Sequence, residues 1–340
     1  MKPGRQNLIT DVSGLRVGQS QDDQLKSGVT ALLCDTENVT SVHVMGGAPG
    51  TRETDLLQPE NTVQSVDALV LAGGSAFGLD AASGVQAALR EQGKGFVVRD
   101  QRIPIVPTAI LFDLINGGDK NWGKHSPYRE LGYEAVNNAG VSFELGSVGA
   151  GAGALVGGPN AGLKGGLGSS SIVLDNGITI GALVAVNALG APTVGLGKHF
   201  WAAPFEQDDE FGGHGLSNAK CQESREVRIK FRDSQSQGAN TTIGIIATDA
   251  VLNKGQAKRL AVAAHDGFAR ALWPAHTPLD GDLIFAIATG ASGIGLDIES
   301  QIDLSAAAAG TMSRAIARGI YEATEMPNDL FPTWANAFAK

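Results

Sequence analysis

Residues 240–249 read Asn240-Thr241-Thr242-Ile243-Gly244-Ile245-Ile246-Ala247-Thr248-Asp249, an apolar, β-branched run that predicts a buried strand over Ile243–Thr248. It starts abruptly. The segment before it, Asp208 to Ser236, is polar and charged and leads into Gln237-Gly238-Ala239. Two readings of the junction stand side by side. Thr241 and Thr242 favour a strand start simply because they are β-branched. A Thr in this place also fits an N-terminal nucleophile: its hydroxyl attacks the carbonyl of Asn240, the ester hydrolyses, and a free α-amine remains. Such an amine has an ordinary pKa of about 7.7–8.0 and can act as general base for the hydroxyl beside it. Asn240-Thr241-Thr242 also spells a glycosylation sequon, a weak reading without a secretory signal.

Outward from the junction, further strands are predicted at Gly28–Cys34, Ser41–Met45, Ala68–Ala72, Gly95–Arg99, Ser171–Leu174, Ile178–Val186 and Leu283–Thr289. Asn176-Gly177 between two of them is a strong hairpin signal. Helical periodicity covers Gly78–Gln92, Pro127–Ala139, Gln256–Trp273 and Leu304–Glu325. In the third, Ala257, Leu260, Ala261, Ala264, Phe268 and Ala271 form one buried face. Small residues such as Ala306 to Gly310 let these helices pack closely. Strands and helices mix without steady βαβ alternation, which predicts a layered α/β sandwich with helices outside two central sheets.

The chain has 340 residues, 43% hydrophobic and 18% charged, enough for a large core and far from a disordered composition. Its net charge of −9 argues against phosphate-backbone binding, so no nucleic-acid partner is expected. Cys34 and Cys221 cannot make a disulfide framework or a metal knuckle. Met1 to Gly14 has no apolar signal core, and Ile178 to Leu189 is too short to span a bilayer. A soluble cytoplasmic protein without a membrane partner is the expectation.

Of 46 glycines, ten fall within Gly146–Gly168. Such density marks either a loop-rich connector or a wall where backbone N–H groups face a ligand. Lys164 sits inside this tract. Either it snorkels from a loop, or it is desolvated and needs an anion or loses its proton. Asn187 interrupts the apolar run after Val186, as a strand end bonded to a turn or as an oxyanion donor. Asp280-Gly281-Asp282 places two carboxylates across a turn. With His276 they could hold a metal, but the ligand spacing of known motifs is missing, so no metal is assigned. Gly73-Gly74-Ser75-Ala76-Phe77 lacks the last glycine of a serine elbow, and Gly118 to Lys124 is followed by His125 where a P-loop has Ser or Thr.

Taken together, Leu71 to Leu79, Lys164 to Ser169, Asn187, Asn240-Thr241-Thr242-Ile243, Ala247-Thr248-Asp249 and Asp280-Gly281-Asp282 occur in the order found in the DmpA-type N-terminal-nucleophile peptidases, and the chain resembles that family over nearly its whole length. The junction and the Asp-Gly-Asp turn look most like its nylon-oligomer (aminohexanoate oligomer) hydrolase branch. The resemblance implies a four-layer α-β-β-α sandwich shared with ornithine acetyltransferase. It implies one domain over 1–340, cut between Asn240 and Thr241 into an α chain, 1–240, and a β chain, 241–340. Thr241 would be the nucleophile, Lys164 would line the site near its hydroxyl, Asn187 would donate to the oxyanion, and Asp280 and Asp282 would hold the Thr amine and hydroxyl. Aminopeptidase relatives carry Ser as nucleophile and a Ser/Glu pair in place of Asp280/Asp282, a departure that points toward amide or oligomer hydrolysis. The resemblance further implies no cofactor, a small peptide-like amide substrate, and a tetramer of processed protomers. Acyl transfer to an amine, or an unprocessed non-catalytic scaffold, are the rival expectations.

Overall fold

The computed structural model describes residues 1–231 and 240–338. In chain order the strands and helices are β1 (Leu15–Asp22), β2 (Ser27–Cys34), β3 (Val39–Val44), β4 (Thr51–Arg52), β5 (Ala68–Ala72), α1 (Ala81–Glu91), β6 (Phe96–Val98), β7 (Gln101–Ile103), β8 (Thr108–Ile110), α2 (Tyr128–Asn137), β9 (Leu155–Val156), β10 (Leu163–Lys164), β11 (Gly166–Val173), β12 (Thr179–Asn187), α3 (Cys221–Arg225), β13 (Thr241–Thr248), α4 (Lys254–Ala271), β14 (Leu283–Ala288), α5 (Ile298–Tyr321) and α6 (Trp334–Phe338). One five-stranded sheet has the order β1-β2-β5-β8-β4 and the other β11-β12-β13-β14-β3.

Period-two alternation assigns every central strand to two cores. Ile243, Ile245 and Ala247 of β13 face Leu32, Leu69 and Leu71 of the other sheet, while Ile246 turns to the opposite side. That opposite side packs on Leu260, Ala264 and Phe268 of α4 and on Met312, Ala315 and Ile316 of α5. Across the molecule, Val29, Ala31 and Val70 pack on Val85 and Leu89 of α1 and Leu131 and Ala135 of α2. The layers are therefore α1/α2, sheet, sheet, α4/α5, the four-layer sandwich expected from the sequence.

Gly146 to Gly165 of the glycine tract is turn, 3-10 and coil broken by the two-residue strands β9 and β10, the loop-rich connector that was one of the two expectations, but its end is not. Gly166 to Gly168 are strand, part of a β11 that starts earlier than the predicted Ser171–Leu174. A Cβ on Gly168 would lie 1.8 Å from the carbonyl oxygen of Ala315, so these glycines admit the backbone of α5 onto the sheet. The predicted core strand at Gly95–Arg99 is instead the exposed hairpin β6–β7, with Phe96 62% exposed. β1, too polar on its outer face to read as a strand, pairs with β2 along its whole length. Helix α5 begins at Ile298, ahead of the predicted Leu304, because Asp297 caps it by accepting the Ser300 N–H at 2.8 Å. The first predicted helix opens as a 3-10 turn, Ser75–Asp80, before α1. The Leu174–Ile178 hairpin forms as expected, with Gly177 at φ +89°. Among the described residues no helix is long and apolar enough to cross a membrane.

Candidate active site

Thr241 is the first residue of β13, and its register partner on β12 is Asn187. Both are buried, as is Asn240. The strand thus carries Thr241 out of the sheet at the edge of the core, where a chain coming from the polar segment must turn in. Residues 232–239 of that segment, including the Gln237-Gly238-Ala239 lead-in, lie outside the described residues.

The loop before β14 wraps the 240–241 peptide. Asn240 donates its N–H to Leu279 O at 3.1 Å, and its own carbonyl oxygen accepts the Gly281 N–H at 2.8 Å. The Thr241 hydroxyl donates to that same oxygen at 2.5 Å. The hydroxyl and the carbonyl are therefore adjacent, and the carbonyl oxygen accepts a main-chain donor as well. Gly281 has to be glycine here, since a Cβ would lie 2.7 Å from both Thr241 Oγ1 and Ala48 O.

The two carboxylates converge on this peptide as the sequence suggested, but their present partners are main-chain donors. Asp282 Oδ1 accepts Thr242 N–H at 2.8 Å and Oδ2 accepts His276 N–H at 3.1 Å. His276 Nδ1 lies 2.9 Å from Oδ2, and its ring stacks on Phe268. Asp280 accepts from Thr277 N at 2.8 Å and Leu189 N at 3.3 Å. Burial first, and the neighbouring Asp282 second, raise the Asp280 carboxyl above the usual carboxylate range.

Asn187 is held on every side. Its Oδ1 accepts Leu155 N–H at 2.9 Å and the Lys230 ammonium at 3.0 Å, and its Nδ2 donates to Phe112 O at 2.8 Å. The amide orientation is thereby fixed, with the NH₂ on the Phe112 side. Lys164 is indeed desolvated, at 2% exposed, and it has found its anion: Asp329 Oδ2 at 2.8 Å, whose other oxygen takes Lys26 at 2.8 Å. Burial lowers the Lys164 ammonium, and Asp329 opposes that shift. Lys164 reaches the Thr241 neighbourhood only through main chain: it pairs with Leu155, whose N–H bonds Asn187.

Sequence reasoning misses three groups that stand here. Gly281 reads as an ordinary turn residue, although a glycine between two site carboxylates is a signal of close approach. Asp113 accepts from Ser27 Oγ at 2.6 Å and Gly74 N at 2.7 Å, and Tyr128 Oη donates to Ser27 Oγ at 2.9 Å. The near-miss Gly73-Gly74-Ser75 thus contributes a main-chain donor to a wall, not a nucleophile. Lys230, inside the charged segment, carries no periodic signal at all.

The sequence model of Peptidase family S58 matches residues 7–329. An uncharacterized aminopeptidase of Mycobacterium tuberculosis is 42% identical over 358 aligned positions, covering 98% of each chain. A 6-aminohexanoate-oligomer endohydrolase of Kocuria sp. is 26% identical over 84% of this chain and 76% of its own. The L-aminopeptidase D-Ala-esterase/amidase of Ochrobactrum anthropi, described as a variant of the Ntn hydrolase fold, superposes with a TM-score of 0.66 at 20% identity. It covers 96% of this chain and 90% of its own, and that likeness shows the fold.

Proposed function

The chain belongs to peptidase family S58 and is a hydrolase of the aminopeptidase and amide-hydrolase class, and on that premise we propose that it cuts itself between Asn240 and Thr241 and then uses Thr241 on small peptide-like amides. The observation that carries the reading is the placement of the Thr241 hydroxyl 2.5 Å from the Asn240 carbonyl oxygen, with Gly281 N–H bonded to the same oxygen.

In self-cleavage Oγ of Thr241 bonds to the Asn240 carbonyl carbon, and the negative charge that develops on oxygen meets the Gly281 N–H. The C–N bond then breaks, nitrogen takes up the proton, and an ester links Asn240 to Thr241. Water hydrolyses the ester to an Asn240 carboxylate and a free Thr241 amine. That amine becomes the base for its own hydroxyl, which attacks an external amide to give an acyl-Thr241 and release an amine, and a second water frees the acid. Asp280 and Asp282 flank the new terminus and hold its amine and hydroxyl; the Asn187 NH₂, with one N–H on Phe112 O, offers its second N–H to the oxyanion, and Lys164 with Asp329 braces the strand beneath it. No cofactor enters any step.

The same reading makes the mature protein an α chain, 1–240, and a β chain, 241–340, assembled as a cytoplasmic tetramer. The exposed hairpin carrying Phe96, Val97, Val98 and Ile103 supports assembly, because these apolar side chains are between 46% and 62% exposed in the single chain. Intact mass spectrometry of purified protein tests the central claim: a fragment beginning at Thr241 is expected, and active protein with an unbroken Asn240–Thr241 bond overturns it. Product analysis with an added amine acceptor separates hydrolysis from acyl transfer.

A further inference from the structure

His276 stands behind the Asp-Gly-Asp loop and approaches the 240–241 peptide through Asp282. Its Nδ1 lies 2.9 Å from Asp282 Oδ2, and its main-chain N–H donates to that same oxygen at 3.1 Å. The other carboxylate oxygen, Oδ1, accepts the N–H of Thr242, the residue after the candidate nucleophile, at 2.8 Å. The Asp282 side chain therefore bridges the histidine to the main chain of β13. Among the described residues Nε2 of His276 is buried without a hydrogen-bond partner, which leaves the approach to Oδ2 as the ring's polar contact.

Packing aims the ring. It stacks on Phe268, with centroids 5.4 Å and planes 19° apart, and meets His265 edge-on at 4.8 Å. His265 in turn meets His43 of β3 edge-on at 5.1 Å, and its Nε2 lies 3.1 Å from His43 O. Burial first, and His276 after it, push the His265 imidazole down to about 3, so the ring on which His276 rests is neutral. Helix α4 and strand β3 thus form a shelf that fixes the imidazole. The backbone carries it at φ +55°, a left-handed conformation in which His and Asn are enriched among non-glycine residues. A carboxylate needs such a partner. The last torsion of an Asp side chain is broad, with no staggered well to fix its plane, so what the oxygens bond decides where they point.

We propose that His276 is a positioning residue for the reaction: its Nδ1–H fixes the plane of the Asp282 carboxylate, so that Oδ1 stays on the Thr242 N–H and the group stays aimed at the Thr241 amine that cleavage frees. No bond forms or breaks at His276, which holds one proton at Nδ1 throughout. The inference rests on the self-cleavage reading and deepens it by giving one of the two site carboxylates its own support.

Two substitutions separate the hydrogen bond from the packing. His276→Phe keeps a flat ring for Phe268 and His265 and removes both nitrogens. His276→Asn gives up the stack, keeps an N–H close to the place of Nδ1 and tolerates the left-handed backbone. Followed on denaturing gels, self-cleavage should slow about tenfold in His276→Phe, and kcat of the cut protein on L-alanine p-nitroanilide should fall by a similar factor with KM little changed. His276→Asn should restore most of both rates. His276→Asn no faster than His276→Phe would leave the ring a packing role alone and overturns the proposal. A measurement on the uncut Thr241→Ala chain needs no catalysis and no change at His276. With isotopically labelled histidine, nitrogen NMR is expected to find the His276 proton on Nδ1, and Asp282→Ala in that chain to move it to Nε2. A His276 protonated on Nε2 alone, or one that ignores the change at Asp282, overturns the proposal as well. If wild-type protein never cleaves, the nucleophile falls, while the nitrogen signals still decide whether His276 serves Asp282.

Discussion

The main-chain N–H of Gly281 donates to the carbonyl oxygen of Asn240 at 2.8 Å, on the far side of the peptide bond from the rest of β13. Parallel bridging between Asn240 and Asp280 sets this contact, so the Asp-Gly-Asp loop holds the Asn240 carbonyl through backbone geometry and brings carboxylates near it through side chains. One short loop thereby performs both tasks that the proposed self-cleavage would ask of the chain.

Removing the hydroxyl tests the chemistry itself. Thr241→Ala should give one band on a denaturing gel and no amide hydrolysis, because neither ester nor free amine can form. Thr241→Ser keeps the oxygen and should still yield the two-chain form, at a slower rate. A Thr241→Ala protein that splits after Asn240 is incompatible with the assignment.

Gly281→Ala probes the electrophilic side. A Cβ here meets Thr241 Oγ1 and Ala48 O at 2.7 Å, so the loop must shift and the hydrogen bond to Asn240 O must lengthen. Loss of one such donor costs about 100-fold in rate in oxyanion sites. Band intensities followed over time should show cleavage slowed by about that factor, while Gly295→Ala, with open space around its Cβ, should cleave as wild type does.

The sandwich was legible because apolar β-branched runs bounded by turn residues and helix faces recur in the sequence: Ile243, Ile245 and Ile246 belong to a near-continuous run, as burial of both faces of a strand imposes. Thr241, Asn187, Asp280 and Asp282 were legible as chemistry-bearing types at strand ends, and the fold does bring all four around one peptide. Gly281 and Lys230 were not. The first acts through a backbone N–H, which no residue type announces, and the second is buried by strands far from it in sequence. The end of the glycine tract was illegible for a related reason: the backbone contact of Gly166 and Gly168 with α5 is a tertiary fact that composition cannot separate from a loop.

Arg314 carries a structural prediction. It is 1% exposed on α5, where it pairs with Glu210 and donates to Ser171 O and Asn7 Oδ1, each at 2.9 Å. Arg314→Met leaves the buried Glu210 carboxylate with the Asn7 amide at 2.7 Å and the Gln207 N–H at 3.3 Å, and with Arg318 Nε, 3.6 Å away, as its remaining cation among the described residues. Stability to urea should fall by about 3 kcal/mol. Glu210→Leu added to Arg314→Met should recover part of that loss, since the stranded charge is gone; a further drop would show that packing, not charge, governs the site.

Lys230 gives a pH dependence of definite sign. Burial lowers its ammonium to about 7, with Asp280 and Asp113 opposing the shift. Below about pH 7 the amine is charged in both the folded and unfolded chains, and the full cost of burying a cation is felt. Between about 7 and 10 the unfolded chain still binds the proton and the folded one does not, so stability attributable to this group rises with pH. Cys34 and Tyr128, both raised by burial, act in the opposite sense over the alkaline range, so the contribution of Lys230 is seen only by difference. In the Thr241→Ala background, Tm measured from pH 6 to 9.5 should climb relative to that of the same protein carrying Lys230→Met, which has no proton to bind there. Parallel curves for the two proteins would mean that the lysine keeps its charge throughout, and its acceptors Leu155 O, Asn187 O and Asn187 Oδ1 would then be balancing a permanent cation.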